Sequence, residues 1–164
     1  GKRTGYEKNN IKNENPTPNQ EQQKIDTPQL KENEQKLSIL YEKLENFNHK
    51  SFLDGAKNAF EIIITAYNQG DKKTLKNLVS KDVYGAFERS IDEKTNNPNY
   101  QFYSLVINSV EDVEIKNGLI KITLSFISEQ LKDNNENEII KKQDTWTFEK
   151  AQNSKSPIWL LSST

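Results

Sequence analysis

Cysteine and methionine are absent from the sequence, and histidine occurs once among its 164 residues. Without cysteine the chain cannot form a disulfide, a zinc–thiolate site or a thiol nucleophile. The single histidine, His49, excludes a multi-histidine metal site, and its place among polar residues at a helix boundary predicts a solvent-exposed or capping role. We therefore expect no metal, no cofactor and no catalytic residue.

Charge of one sign is not in excess either, since 23 basic residues stand against 24 acidic ones. Arginine, whose planar guanidinium suits the recognition of phosphates and bases, supplies only two of the basic residues. Nucleic-acid binding is therefore not expected. No apolar run approaches the ~20 residues that a membrane-spanning helix needs, so the sequence predicts a soluble unit that can still belong to an anchored protein.

Apolar side chains are scarce in the first 35 residues, which also hold three of the five prolines. The large apolar residues there are Tyr6, Ile11, Ile25 and Leu30. Such a segment cannot bury enough surface to offset the entropy lost on ordering, so residues 1–35 are predicted to be a flexible linker. Residues 36–164 are predicted to form one domain.

Helical periodicity follows the linker and produces several apolar faces. The first face consists of Leu37, Leu40, Tyr41, Leu44 and Phe47. Ser51 and Asp54 form a capping-box pattern that predicts the start of a long helix, and Gly70 predicts its end. Beside its large apolar residues this long helix carries a second stripe, Gly55, Ala59, Ile62 and Ala66. Two stripes predict packing on two sides, against a sheet and against other helices.

After Pro98 the apolar period changes from 3.6 to 2, which is typical of strands. The predicted strands are Tyr100–Ile115, Leu119–Glu129, Glu138–Glu149 and Ile158–Ser163. Short polar turns, among them the Asn117–Gly118 pair, predict hairpins between them. Helices followed by an antiparallel meander predict an α+β fold.

Three stretches carry a resemblance to a known family. They are "FLDGAKNAFEIIITAYNQGDKKTLKNLVSKDVYGAFERSI" (Phe52–Ile91), "LSFISEQ" (Leu124–Gln130) and "DTWTFEKAQNSKSPIWLLSST" (Asp144–Thr164). Together they resemble the TIM forty-four family, whose mitochondrial member is a peripheral inner-membrane subunit of the presequence translocase. The order of elements also resembles the cone-shaped fold of nuclear transport factor two, which implies helices packed on the concave face of a curved antiparallel sheet.

The resemblance implies a non-enzymatic interaction domain at the inner membrane, contributing to protein translocation or membrane-protein assembly. "GKRTGYE" (Gly1–Glu7) resembles the segment that follows an anchoring helix in bacterial members, which implies a single-pass anchor before Gly1. Basic residues beside such an anchor favour the cytoplasmic side, equivalent to the mitochondrial matrix. Those residues are Lys2, Arg3, Lys8 and Lys12.

The same resemblance implies two kinds of partner. One is the membrane itself, including anionic lipid, and the other is proteins of a translocation or assembly machinery. A DnaK-type chaperone is one such partner, although the long region that carries most chaperone contacts in the mitochondrial member has no counterpart here. A homo-oligomer is a further option, because the Leu37–Phe47 face can pack on its own domain, on a second copy or on a membrane surface. The membrane interpretation predicts weak binding to anionic liposomes, abolished by Leu40→Glu with Leu44→Glu without unfolding the core.

The alternative function is binding of a lipid or another small hydrophobic ligand between helix and sheet. The residues predicted to line such a pocket, or to form plain core, are Phe60, Ile64, Tyr67, Phe102, Trp146, Phe148 and Trp159. A lyase or isomerase is a remote alternative. It would rely on Asp144, which shares strand parity with Trp146 and therefore points to the concave side.

Overall fold

The computed structural model describes residues 29–94, 100–133 and 135–164. Its helical part consists of a 3-10 helix (Glu32–Ile39), α1 (Leu40–Lys43), α2 (His49–Gln69), α3 (Lys72–Lys76) and α4 (Lys81–Glu93). Four strands follow: β1 (Tyr100–Lys116), β2 (Leu119–Lys132), β3 (Asn135–Ala151) and β4 (Leu160–Ser163). The predicted α+β order and the four strands are confirmed. Most of the predicted linker, residues 1–28, lies outside the described residues.

The first helical segment begins earlier and ends earlier than its apolar spacing predicts. Its 3-10 helix already starts at Glu32, so the predicted domain boundary at residue 36 falls inside a helix. The helix stops at Lys43, and Asn46 then adopts a left-handed backbone conformation with φ 60°. Leu44 and Phe47 consequently lie in the connection to α2, since a left-handed residue cannot continue a right-handed helix.

Side-chain caps set the boundaries of α2, α3 and α4. Asn48, not Ser51 as predicted, caps α2 by accepting the Ser51 N–H, so the helix starts at His49. Gly70 ends α2 in the left-handed conformation, as predicted. Asp71 and Ser80 cap the next two helices. The hydroxyl and backbone N–H of Thr74 donate to Asp71 and lower the pKa of its carboxyl group.

His49 is buried rather than solvent-exposed, which corrects the prediction made from its polar neighbours. Its backbone N–H donates to the Tyr41 hydroxyl at 2.9 Å, and that hydroxyl lies 2.7 Å from His49 Nδ1. The other ring nitrogen, Nε2, lies 3.9 Å from a carboxylate oxygen of Glu34. His49 therefore links the 3-10 helix and α1 to the start of α2.

The four strands form one antiparallel sheet in the order β1-β2-β3-β4. Three irregularities in the β1–β2 register interrupt the ladder, between Phe102 and Ser104, Ile107 and Ser109, and Val110 and Asp112. Irregularities of this kind bend and twist a strand, and they produce the curvature of the sheet. The short strand β4 is covered on its outer side by a parallel bridge between Leu161 and Val79.

The hydrophobic core lies between α2 and the inner face of the sheet. β2 contributes alternate residues to it, and β3 adds Trp146 and Phe148. The fully buried apolar residues of β2 are Ile120, Ile122, Leu124 and Phe126. Phe60 of α2 stacks on Phe126 with ring centroids 4.4 Å apart and lies 4.3 Å from Trp146. No helix within the described ranges is long and apolar enough to cross a bilayer.

Candidate functional site

An open groove of about 1640 Å³ lies beside the first half of α2. Its other boundaries are the α1–α2 connection, the β1–β2 turn and the connection from β3 to β4. Small-molecule pockets usually measure roughly 300–1,000 Å³, so this groove exceeds the size that one small ligand fills.

One wall of the groove is the second stripe of α2. Gly55 is exposed, Ala59 is half-buried, and Ile62 keeps 39% of its surface accessible although it is a large apolar residue. A Cβ atom added to Gly55 would have no neighbour within 4 Å. The prediction that this stripe packs against other helices is therefore wrong for Gly55 and Ile62, whereas Ala59 is half-buried against the core. Only Ala66, the fourth, is buried.

The opposite wall is the connection between β3 and β4. The Gln152 backbone N–H donates to the Gly118 carbonyl at 2.8 Å, and its side-chain amide donates to the Lys43 carbonyl at 3.3 Å. Farther along, Trp159 packs edge-on against Phe52 with ring centroids 5.0 Å apart, while Ile158 remains 52% exposed. The wall is thus attached at both ends and presents apolar surface between polar residues.

Positive charge predominates along the groove. Its charged lining residues are three lysines and one glutamate: Lys43, Lys150, Lys155 and Glu45. None of the three lysines forms a salt bridge with any residue in the described ranges. Lys150 is held over the face of Trp159, with Nζ 5.5 Å from the ring centroid. The groove therefore combines an apolar floor with a basic rim, although the whole chain carries a formal charge of -1.

The structure separates the seven residues predicted to line a pocket. Phe148 and Trp159 line the groove. Phe60 and Trp146 are buried in the aromatic core, and the partly buried residues Ile64, Tyr67 and Phe102 pack against that core. Tyr67 connects α2 to α4, because its hydroxyl bonds Ser90 and its ring lies 5.3 Å from Phe87. These five residues therefore form plain core, which was the alternative to a pocket lining, because packed rings fill the space between helix and sheet.

The five residues of the predicted membrane or partner face are also separated. Leu37 and Leu40 have no exposed surface. Tyr41, Leu44 and Phe47 are half-buried, and Leu44 and Phe47 line the groove. Leu37 and Leu40 pack in the protein's own core, so neither can contact a membrane in this conformation.

Asp144 lies opposite Phe126 on the inner side of the sheet, as its strand parity predicts, and it is half-buried. Among the described residues, no group of three acidic, histidine or cysteine side chains converges as a metal site would require. Within the described part of the chain, Asp144 forms no salt bridge.

Sequence reasoning missed the polar and basic part of the groove. The lysines of the rim come from α1, β3 and the β3–β4 connection, which are distant in sequence and meet only in the folded chain. One signal was present: Ile158 is a large apolar residue in a stretch of serine, lysine and proline. The structure leaves Ile158 just before β4 and 52% exposed, although the alternation predicted a strand that begins there.

Comparison with known proteins supports the expected family. The model of the Tim44-like domain matches residues 34–164. An uncharacterised protein of Rickettsia prowazekii (strain Madrid E) is 29% identical over 126 residues, which cover 75% of this chain and 55% of that protein. The chain thus spans about half the length of this relative.

Among solved structures, the intermembrane space region of the chloroplast protein ARC6 is similar over 68% of this chain and 92% of its own length. Its sequence identity is 15% and its TM-score is 0.38, and a similarity at that level establishes neither a shared fold nor a shared function. The family match covers most of the chain and includes all four strands and the long helix. The chain belongs to the Tim44-like domain family, a family of non-catalytic domains associated with membranes and with protein translocation.

Proposed function

We propose that this domain is a docking module for protein partners of a translocation or membrane-protein assembly machinery at the inner membrane. The groove beside α2 is the docking surface. The observation that carries this proposal is the exposed apolar wall formed by the second stripe of α2, which includes Ile62 at 39% exposure. A stripe of this kind is normally buried against another element, and in this protein an open groove takes that place.

Photocrosslinking of the full-length protein in its native membrane tests the docking proposal. A photoreactive amino acid at Ile62 or Ile158 lies in the groove, while the same group at Tyr103 or Val106 lies on exposed strand positions elsewhere. We expect groove positions to give adducts with identified proteins of membrane translocation or assembly, and control positions to give few. Equal labelling at both sets of positions, or adducts with lipid alone, would contradict the proposal.

We also propose that an anchor preceding Gly1 holds the domain on the cytoplasmic face of the inner membrane. Support comes from the four basic residues near the start of the sequence. They would lie beside the anchoring helix, where basic residues determine the orientation of that helix in the membrane. An activity reporter fused after Thr164 should function on the cytoplasmic side. Reporter activity confined to the opposite side would reverse the assignment.

A second candidate function is binding of an anionic amphiphile, such as a lipid, in the same groove. The observation in its favour is the pairing of Phe52, Leu119 and Phe148 on the floor with the lysine rim. This arrangement accommodates an acyl chain below and a negative headgroup above. Flotation of the protein with vesicles of phosphatidylglycerol tests it, and no change in vesicle binding with Gly55→Leu would exclude the groove as the lipid site.

A further inference from the structure

We infer that the natural occupant of the groove is an acidic amphipathic helix of a partner protein. This inference rests on the proposed docking function and specifies the chemistry of the partner. Three properties of the groove support it: its size, the pattern of its apolar surface, and the sign of its charge.

The size of the groove corresponds to a polypeptide segment. A helix with its side chains has a diameter of about 10 Å, which gives a volume of roughly 420 Å³ per 5.4 Å turn. The groove volume of about 1640 Å³ therefore accommodates roughly four turns. Helices recognised in grooves typically contribute a few apolar anchors spaced along one face.

The apolar surface is arranged as a groove with two walls. Gly55 and Ala59 lie one turn apart on α2 and allow another backbone to approach closely, because their side chains add little or no bulk. Ile62 continues this wall, and Ile158 and Trp159 face the groove from the β3–β4 connection. One apolar face of a partner helix can contact both walls at once, while its polar face remains in water.

The rim has the charge that an acidic helix requires. Lys43 and Lys155 are exposed, and Lys150 is preoriented by its position over Trp159. Glu45 is the single acidic residue of the lining. Opposite charges across an interface favour the correct partner and raise the rate of association. A basic helix would instead face the ammonium groups of three lysines.

Two labelled 16-residue peptides test the inference with the full 164-residue chain. Both carry leucines at positions i, i+3, i+4 and i+7; one carries glutamates on the flanking positions and the other carries lysines. Binding is followed by fluorescence anisotropy of the label and by the emission of Trp159 in a Trp146→Phe background. We expect the acidic peptide to bind at least ~10-fold more tightly in 0.15 M salt, with the difference shrinking in 1 M salt as screening increases.

Matched variants locate the interaction. Lys150→Glu combined with Lys155→Glu should abolish or invert the preference for the acidic peptide, while Lys81→Glu, on an exposed site of α4 outside the groove, should leave it unchanged. Gly55→Leu should weaken binding at least ~10-fold by filling the groove, and since Gly55 has open space around it, the fold should remain intact. Thermal unfolding of each variant checks that last point.

The outcomes separate this inference from the docking proposal. If both peptides bind equally and Gly55→Leu still weakens their binding, the occupant is not selected for acidic charge. The proposal that the groove is a docking surface then stands. Absence of binding by both peptides overturns the helical occupant. If phosphatidylglycerol vesicles alone bind, and Gly55→Leu prevents this, the groove is a lipid site and the inference is wrong.

Discussion

Gly55 and Gly70 belong to the same helical segment and show how differently one residue type can be used. Gly70 adopts φ +71° at the end of α2, where its N–H caps the helix by bonding the Tyr67 carbonyl. Gly55 lies within the helix, and a side chain there would extend into open space. Gly70 is needed for the left-handed backbone conformation, whereas Gly55 leaves its part of the groove wall without a side chain.

Alanine at the two positions should therefore change stability in opposite directions. Gly55→Ala should raise the free energy of unfolding by roughly 0.5–1 kcal/mol, because glycine costs about that much in a helix interior. Gly70→Ala should lower it by roughly 1–2 kcal/mol, because a Cβ disfavours the left-handed conformation. Urea unfolding of both variants measures the difference, and a loss of stability in Gly55→Ala would show that the groove wall is packed.

The element that precedes α2 decides whether the domain itself has a membrane-binding face. The apolar residues of the first helical segment do not form one exposed surface, since the chain leaves the helix after Lys43. Leu40 is fully buried, whereas Leu44 is half-buried at the groove. Two substitutions that looked equivalent in sequence therefore have different structural consequences.

Leu40→Glu alone should destabilise the fold strongly, by about 3 kcal/mol or more, because it removes a buried side chain and leaves a carboxylate without a partner. Leu44→Glu should retain the fold, with a loss below about 1.5 kcal/mol, and should reduce docking in the groove. Circular dichroism during thermal unfolding measures the stability of both variants. This prediction differs from the expectation, made from the sequence, that the double variant keeps its core folded, because Leu40 is fully buried. An intact Leu40→Glu protein would contradict it.

At the scale of the whole molecule, the N-terminal boundary of the folded unit lies earlier than residue 36. Leu30 packs against the core, and Asn33 and Lys36 donate to backbone carbonyls of β1. Glu34 also accepts a hydrogen bond from the Lys31 backbone N–H. The last residues of the predicted linker, from Leu30 onward, are therefore part of the domain.

Two truncations locate that boundary. Removal of residues 1–28, which contain only three large apolar side chains, should leave the thermal midpoint within about 2 °C of the full chain. Removal of residues 1–35 deletes Leu30 and the contacts of Asn33 and Glu34, and it should cost roughly 1.5–3 kcal/mol. Scanning calorimetry compares the two, and an equal effect of both truncations would place the boundary elsewhere.

Local chemistry made much of the fold predictable. Gly70 ends α2 where the sequence predicts, because a left-handed glycine at a helix end depends on a few neighbouring residues. The strands were equally clear, since alternation of Ile120, Ile122 and Leu124 distinguishes a buried face from an exposed one. The family was recognisable from the same segments.

The sequence by itself thus determined the elements, their order, and which face of each strand and of α2 is most apolar. Only the tertiary structure decided what each apolar stripe meets. The stripe containing Gly55, Ala59 and Ile62 predicts burial, yet it borders an open groove; His49 looks exposed, yet it is buried against Tyr41 and Glu34. Periodicity reports how a residue is oriented on its own element, whereas burial depends on how far other elements extend over it. The lysine rim has the same origin, because its members come from three separate parts of the chain and meet only after folding.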